Sequence, residues 1–251
     1  MRFLGFIAVL VTGGLLLSAT SDFPDWGDAS SPASSYQVSQ HYILETFEET
    51  SVPNIVTAVL ADYRGYDTLF ETVVIFTAGI AILAILRTRE TEGTAAIPAH
   101  RTKADGEDLI VTTTCRLVIP VIQLFALYVI AHGHHSPGGG FQGGVIFGAS
   151  LIMLSISRSL EIALGKMPEK RMIGLAVFGV LLYGGFGLAC LALGRNYLDY
   201  GALARVFGSS EIMARSHAML GVEIGVAFTV ATIMFAIYAN LSTRGRLEGS
   251  L

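Results

Sequence analysis

The chain has 251 residues, of which 52% are hydrophobic and 14% charged, and its mean hydropathy is +0.60. Soluble domains carry about a quarter charged residues, so this composition excludes an ordinary cytosolic enzyme and points to a lipid environment. The net charge of −4 and the scattering of Lys and Arg in small groups leave no basic surface for nucleic acid.

A bilayer-crossing helix needs about 20 predominantly apolar residues, and six segments qualify: 3–20, 68–86, 109–131, 140–157, 172–194 and 216–240. The first also has features of a signal peptide, with Arg2 as a basic start and 15–19 near a cleavage pattern; we read it as a retained helix. With the N-terminus inside, Arg2, Arg87, Arg89, Arg101, Lys103, Arg116, Arg158, Lys166, Lys170, Arg171, Arg244 and Arg246 fall on the inner side, and only Arg64, Arg195, Arg205 and Arg215 on the outer side. Cytoplasmic loops carry the excess of basic residues, so both termini are expected in the cytoplasm. The expected fold class is therefore an all-α integral membrane protein with about six transmembrane helices.

Between the first two spans, residues 21–52 are rich in Ser, Pro, Asp and Glu and contain no Lys or Arg, which reads as an external loop with a short helix around 41–50. Residues 53–61 are apolar but too short to cross, and suit an interfacial or re-entrant piece. The polar stretch from Arg87 to Asp108 divides the chain into a two-span unit, 1–90, a cytoplasmic linker, 91–108, and a four-span unit, 109–251.

The second span opens on Ala61-Asp62-Tyr63-Arg64-Gly65-Tyr66-Asp67-Thr68-Leu69-Phe70-Glu71. If its helix includes Arg64, then Arg64, Asp67, Thr68 and Glu71 share one face, and Glu71 lies about 5 Å inside the span counted from Thr68. A carboxylate there is costly unless paired or hydrated. The cluster suits either a proton or cation entry, or a neutralised anchor at the interface.

Spans three and four are joined by Gly133-His134-His135-Ser136-Pro137-Gly138-Gly139-Gly140-Phe141-Gln142-Gly143-Gly144. Glycines here open backbone conformations closed to other residues, and Gly140, Gly144 and Gly148 recur every fourth position, a groove into which a second helix fits. His132, His134 and His135 lack acidic or cysteine partners nearby, so no metal site is expected; loop hydrogen bonding or titration suits them better. No Lys-Ser/Thr follows the glycines, so the loop is no phosphate cradle of the P-loop kind.

Glu223, deep in the last span, is flanked by Gly221 and Gly225, which lie on nearly the opposite helix face. The acid is either protonated and merely hydrogen-bonded or part of a proton route. Arg116, on the face of Pro120 and Gln123, either snorkels to the inner surface or borders a hydrated path. Cys115 and Cys190 read as packing residues near opposite membrane faces. No nucleophile elbow, H-E-x-x-H or dinucleotide fingerprint occurs, so no catalytic centre and no cofactor are expected.

At these motifs the sequence resembles the Mrp-type multi-subunit sodium/proton antiporters. Residues 106–240 look like the MnhB-like component of that antiporter, whose glycine-rich signature is matched by Gly133, His134, Pro137, Gly138, Gly139, Gly140, Phe141, Gly143 and Gly144. Residues 52–87 resemble the C-terminal part of its large A-type component, whose aromatic-Arg-Gly-aromatic-Asp-Thr-Leu signature and following acid are matched by Tyr63, Arg64, Gly65, Tyr66, Asp67, Thr68, Leu69 and Glu71. Tyr63, Tyr66 and Phe70 depart from the usual residues, and the A-type tail here precedes the MnhB-like unit on one chain. The resemblance implies a transporter subunit rather than an enzyme, placed in a bacterial-type plasma (inner) membrane. It also implies partners among large antiporter-like chains and small membrane subunits, acting on sodium ions and protons, with the acid matching Glu71 on or near the ion route. Membrane-bound hydrogenases use the same modules, so a redox-driven complex is the alternative, and a scaffold subunit without its own ion path is the third.

Overall fold

The computed structural model describes residues 2–28, 30–31, 36–88, 109–243 and 245. Among these there is no strand, and six helices are long and apolar enough to cross a membrane. The linker 91–108 lies outside the described residues, as do the side chains of Arg87, Arg89, Arg101, Lys103, Arg244 and Arg246.

The chain forms two compact units, 1–45 and 46–251. In the first, α1 (Arg2–Ala19) carries no buried residue along its apolar window. Phe6, Leu10, Leu15 and Leu17 are all exposed, as befits a helix whose surroundings are lipid or another protein. A 3₁₀ turn (Thr20–Asp22) and a π-helical turn (Tyr36–Gln40) follow. The short helix expected around 41–50 is α2, His41–Thr50.

In the second unit, the short apolar run read at 53–61 falls in two short helical pieces ending at Tyr63. Asn54 caps α3 (Ile55–Ala58) by accepting from the Val56 amide at 3.1 Å, and a π-helical turn (Val59–Tyr63) follows directly. The chain breaks at Arg64, so α4 spans Gly65–Thr88 and the condition for Arg64 to share a helix face with Asp67, Thr68 and Glu71 is not met. Next come α5 (Leu109–Ala131), continuous through Pro120, and α6 (Gly140–Ser157). Two pieces were not anticipated. One is α7 (Leu160–Lys166), capped by Ser159, whose hydroxyl oxygen accepts from the Ile162 amide. The fifth span, α8 (Glu169–Ala192), leads to the other, a turn of Tyr200–Leu203 continued by α9 (Ala204–Phe207). The sixth span is α10 (Glu211–Thr243).

Helix α10 is the axis of this unit. At 1.5 Å per residue its 33 residues extend about 50 Å, beyond the roughly 30 Å hydrocarbon core, so its first turns stand above the span that starts at 216 in the sequence reading. Its seat is the glycine groove. A methyl built on Gly144 would lie 3.0 Å from the Ala227 carbonyl oxygen, and one on Gly148 would lie 2.9 Å from that of Ala231, while Gly140 abuts the backbone of Glu223. On the opposite face Gly221 receives Phe186, Gly225 meets the Gly179 carbonyl, and Thr229 donates to the Ala176 carbonyl at 3.0 Å. Lipid tails are as apolar as leucine, so association in the membrane relies on such close packing and on interhelical hydrogen bonds. The spacing of small residues therefore sets which helices touch.

At the far end of α10 from the glycine-rich loop, Asn240 donates to buried Glu169 at 3.1 Å. Cys115 and Cys190 are both free.

Candidate functional site

One end of the second unit gathers the start of α4, the end of α5, the start of α6 and the first turns of α10. The glycine-rich loop, 132–139, is held there from the 53–63 segment. The Asn54 side-chain amide donates to the carbonyls of Gly133 and Ser136, both at 2.8 Å. The Thr57 hydroxyl donates to the Gly133 carbonyl at 2.7 Å, and the Asn54 backbone N–H to that of His134 at 3.0 Å. Four bonds thus tie the 53–63 segment to the glycine-rich loop. The sequence reading named both pieces but gave no sign that they touch.

Within the loop Gly139 has φ +118 and serves as N-cap of α6, a conformation closed to side-chain-bearing residues. Gly133, Gly139 and Gly140 then enclose Glu223 of α10. A methyl on Gly133 would lie 3.1 Å from Glu223 Oε2 and one on Gly139 2.9 Å from Oε1. Glu223 is 9% exposed, and its Oε2 has no hydrogen-bond partner among the described residues. Two features that the sequence offered separately, the glycine-rich motif and the buried acid, are therefore one site. A further glycine outside the four-residue series, Gly143, packs on the Ala126 carbonyl of α5.

The other candidates are placed as follows. Arg64 pairs with Asp67, and both are largely exposed. Thr68 spends its hydroxyl on the Leu60 carbonyl at 2.8 Å, fastening the π-helical turn to α4. Glu71, six residues past Gly65 and thus about 9 Å along the helix, is exposed on the outside of the chain and is not brought to Glu223. Arg116 is exposed on α5, 17 residues before Gly133 and so on the order of 25 Å from the loop along the helix direction. Gln123, on the same helix, instead turns to α6 and donates to Ser150 at 3.2 Å. His132 stacks between Tyr128 and His135, and exposed Phe141 and Pro137 line the loop's outer side.

His134 is half-buried with its Nε2 enclosed. Burial, and secondarily the neighbouring His135 and His217, hold its pKa below the usual histidine range. A depressed histidine pKa means that the unfolded chain binds the proton more readily, so stability is lost as pH falls through the unfolded value near 6.5. We expect the melting temperature of the purified protein to fall between pH 8 and pH 5.5, and His134→Asn to flatten that slope. An unchanged slope in the variant would remove His134 as its origin.

A buried ion network escaped the sequence reading. Arg215 of α10 donates from Nη1 to both carboxylate oxygens of Asp62, at 2.9 and 3.1 Å, and from Nη2 to Asp199 at 2.8 Å. Arg195 extends it to Glu211 at 2.9 Å and approaches Asp199 at 3.6 Å. The Asp62 side chain is only 4% exposed, and its burial raises its pKa despite the opposing pull of Arg215. Buried Leu198 stands at φ +64, a strained backbone for a side-chain-bearing residue, and this bend delivers Asp199 to the arginine. Beside it Tyr63 donates to Glu49, and its pKa is pushed up to about 12 by burial and then by that carboxylate. The available signal was charge: Arg195 lies four residues before Asp199 and Arg215 four after Glu211.

Among the described residues no three His, Cys, Asp or Glu side chains converge to hold a metal ion. What fold and site define is a multi-pass helical membrane protein whose glycine-rich loop closes on a buried acid. The chain belongs to the MnhB-related family: residues 110–236, half of its length, match the domain related to the MnhB subunit of the Na+/H+ antiporter. Residues 28–102 match a second family, MbhE of MBH. A Staphylococcus aureus (strain Newman) protein named as a putative antiporter subunit mnhB2 is 26% identical over 137 residues, covering 54% of this chain and 94% of the relative. A chain in the structure of the membrane-bound sulfane sulfur reductase (MBS), an archaeal respiratory membrane complex, is 27% identical with a TM-score of 0.63; the match covers 96% of this chain and 97% of that one. A chain of the Mrp complex from Dietzia sp. DQ12-45-1b is 25% identical with a TM-score of 0.69, over 99% of this chain and 27% of that longer one. The antiporter resemblance seen in the motifs is thus a family relationship.

Proposed function

We propose that this chain is a membrane subunit of a multi-subunit cation/proton antiport module, contributing helices and acidic residues to the path of sodium ions and protons rather than catalysing a reaction. The observation that carries this reading is the enclosure of Glu223 by the glycine-rich loop, with the A-type segment fastened over that loop by Asn54 and Thr57. An intramembrane acid is a default marker of an ion or proton route, and it is here built into the motif on which the antiporter resemblance rests. Glu71, Asp67, Arg64 and Thr68 at the mouth of α4 form a second acidic group for the same path, and Arg116 belongs to its inner side. Both termini face the cytoplasm of a bacterial-type plasma membrane on the basic-residue count, and the chain divides into a two-span unit at 1–90, a linker at 91–108 and a four-span unit at 109–251.

A second reading has its own support. The full-length match in both directions to a chain of a respiratory sulfur-reducing complex, together with the MbhE match, favours the same module working inside a redox-driven assembly whose electron-transfer centres sit on other chains. Purification of the tagged chain from its native membrane in mild detergent, followed by mass spectrometry, tests both. Large antiporter-like chains and small membrane subunits alone support the antiporter. Co-purifying iron–sulfur or nickel proteins place the chain in the redox-driven assembly, and a chain that purifies alone and folded overturns both readings.

A further inference from the structure

Glu223 presents an unsolved electrostatic problem. Nearly all buried polar atoms find a partner, and an isolated carboxylate in an apolar medium is among the most expensive groups to bury. Yet Oε2 has no hydrogen-bond partner among the described residues. The wall around the carboxyl group consists of backbone: Gly133 on one oxygen, Gly139 on the other, and Gly140 against the Glu223 main chain itself. A methyl on Gly139 would lie 3.5 Å from Gln142 Oε1 as well as 2.9 Å from Glu223 Oε1, so a second oxygen stands on the same side of the loop.

We propose that Glu223 and the glycine cradle form a binding site for one monovalent cation, which the carboxyl group takes up in exchange for its proton; this deepens the antiport reading above and rests on it. Oxygen donors with a single negative charge suit a hard monovalent ion better than a softer metal, which takes nitrogen or sulfur. The exchange converts a carboxylic acid and a sodium ion into a sodium carboxylate and a released proton, with no electron transferred and no covalent bond broken other than O–H. The protonated acid is neutral and the sodium carboxylate is neutral overall, which is the condition for keeping the group buried. The titratable group that interacts with it is Tyr183 of α8, which supplies no fixed positive charge to hold the bare carboxylate at neutral pH, so the cation takes that place. The glycines let the loop approach the acid closely: a methyl at 133 would meet the Gly139 backbone at 2.9 Å and Glu223 Oε2 at 3.1 Å.

The test uses the purified complex in lightly buffered detergent, given sodium chloride or, at equal ionic strength, choline chloride. Sodium is expected to release protons, and Glu223→Gln to reduce that release by about one proton per copy of this chain. In proteoliposomes the same variant should raise the KM for sodium about tenfold or more, equivalent to the loss of one good interaction. If Glu223→Gln assembles poorly, Glu223→Asp keeps a carboxylate one methylene shorter and is read instead, with a raised sodium KM expected. Unchanged proton release and sodium KM in the assembled variant overturn the site. A wild-type complex that carries no sodium-dependent proton flux in proteoliposomes, yet shows the Glu223-dependent release in detergent, overturns the antiport reading and keeps the site.

Discussion

Glu71→Gln is expected to cut sodium-dependent proton movement by the assembled complex to about a tenth or less while the complex itself still purifies in full. Glu71 lies inside α4 but on the outside of this chain. Translocon-based scales charge about 2.5 to 3.5 kcal/mol for an ionised acid at a helix centre; near the start of α4 the cost is smaller, and an ionised Glu71 is best served by water or a polar surface of another subunit. The Arg64–Asp67 pair one turn earlier extends the same exposed face toward the membrane surface. A glutamine keeps size and hydrogen bonding but can neither ionise nor carry a proton, so a loss of rate with intact assembly isolates the titrating role. The scaffold reading gives the opposite pattern: removing an idle acid from an intramembrane face leaves transport rates intact and shifts only the stability of the complex. Proteoliposome flux and size-exclusion profiles of the same preparation separate the two.

The sequence reading reached far into the fold because membrane spans are written in long apolar runs. The ends of α5 and α6 coincide with the predicted ones, and the helix at 41–50 and the non-crossing piece at 53–61 are both present. The four-residue glycine spacing named the groove on α6 and left its occupant open, since Ala227 and Ala231 on α10 carry no signal of their own. Helix boundaries were lost where local chemistry outweighs hydropathy. Arg64 ends a π-helical turn instead of starting α4, and α10 begins at Glu211 because its polar first turns carry ion pairs, Glu211 to Arg195 and Arg215 to Asp62 and Asp199, outside the apolar window. The individual site residues were readable as types, buried acid and glycine-rich loop, but their meeting was not. Glu223 and Gly139 are 84 positions apart, and only the helix register decides that they touch. The Asp62–Arg215–Asp199 network was hidden for a related reason: each member looks like an ordinary outer-loop charge until the left-handed bend at Leu198 delivers Asp199.

That network carries the largest expected effect on stability. Arg215→Ala leaves two carboxylates facing each other, one of them with a side chain only 4% exposed, and removing one partner of a buried pair typically costs about 3–5 kcal/mol. Arg215 is itself 31% exposed, so water reaches part of the site and a loss of about 2 to 4 kcal/mol is expected. The sign of the pH dependence is diagnostic. Burial already raises the Asp62 pKa with the arginine present, and without the arginine it rises further. The folded variant then binds a proton that the unfolded chain, with an ordinary aspartate value near 3.9, does not. Its stability should therefore recover as the pH is lowered from 8 toward 5, opposite to the His134 contribution, and the double variant Asp62→Asn/Arg215→Met should regain most of the loss at pH 8. Melting curves of the detergent-purified protein at both pH values check this. A variant equally unstable at both, or a double variant no better than the single, would mean that Arg215 holds the A-type segment to α10 through packing of its stem rather than through its charge.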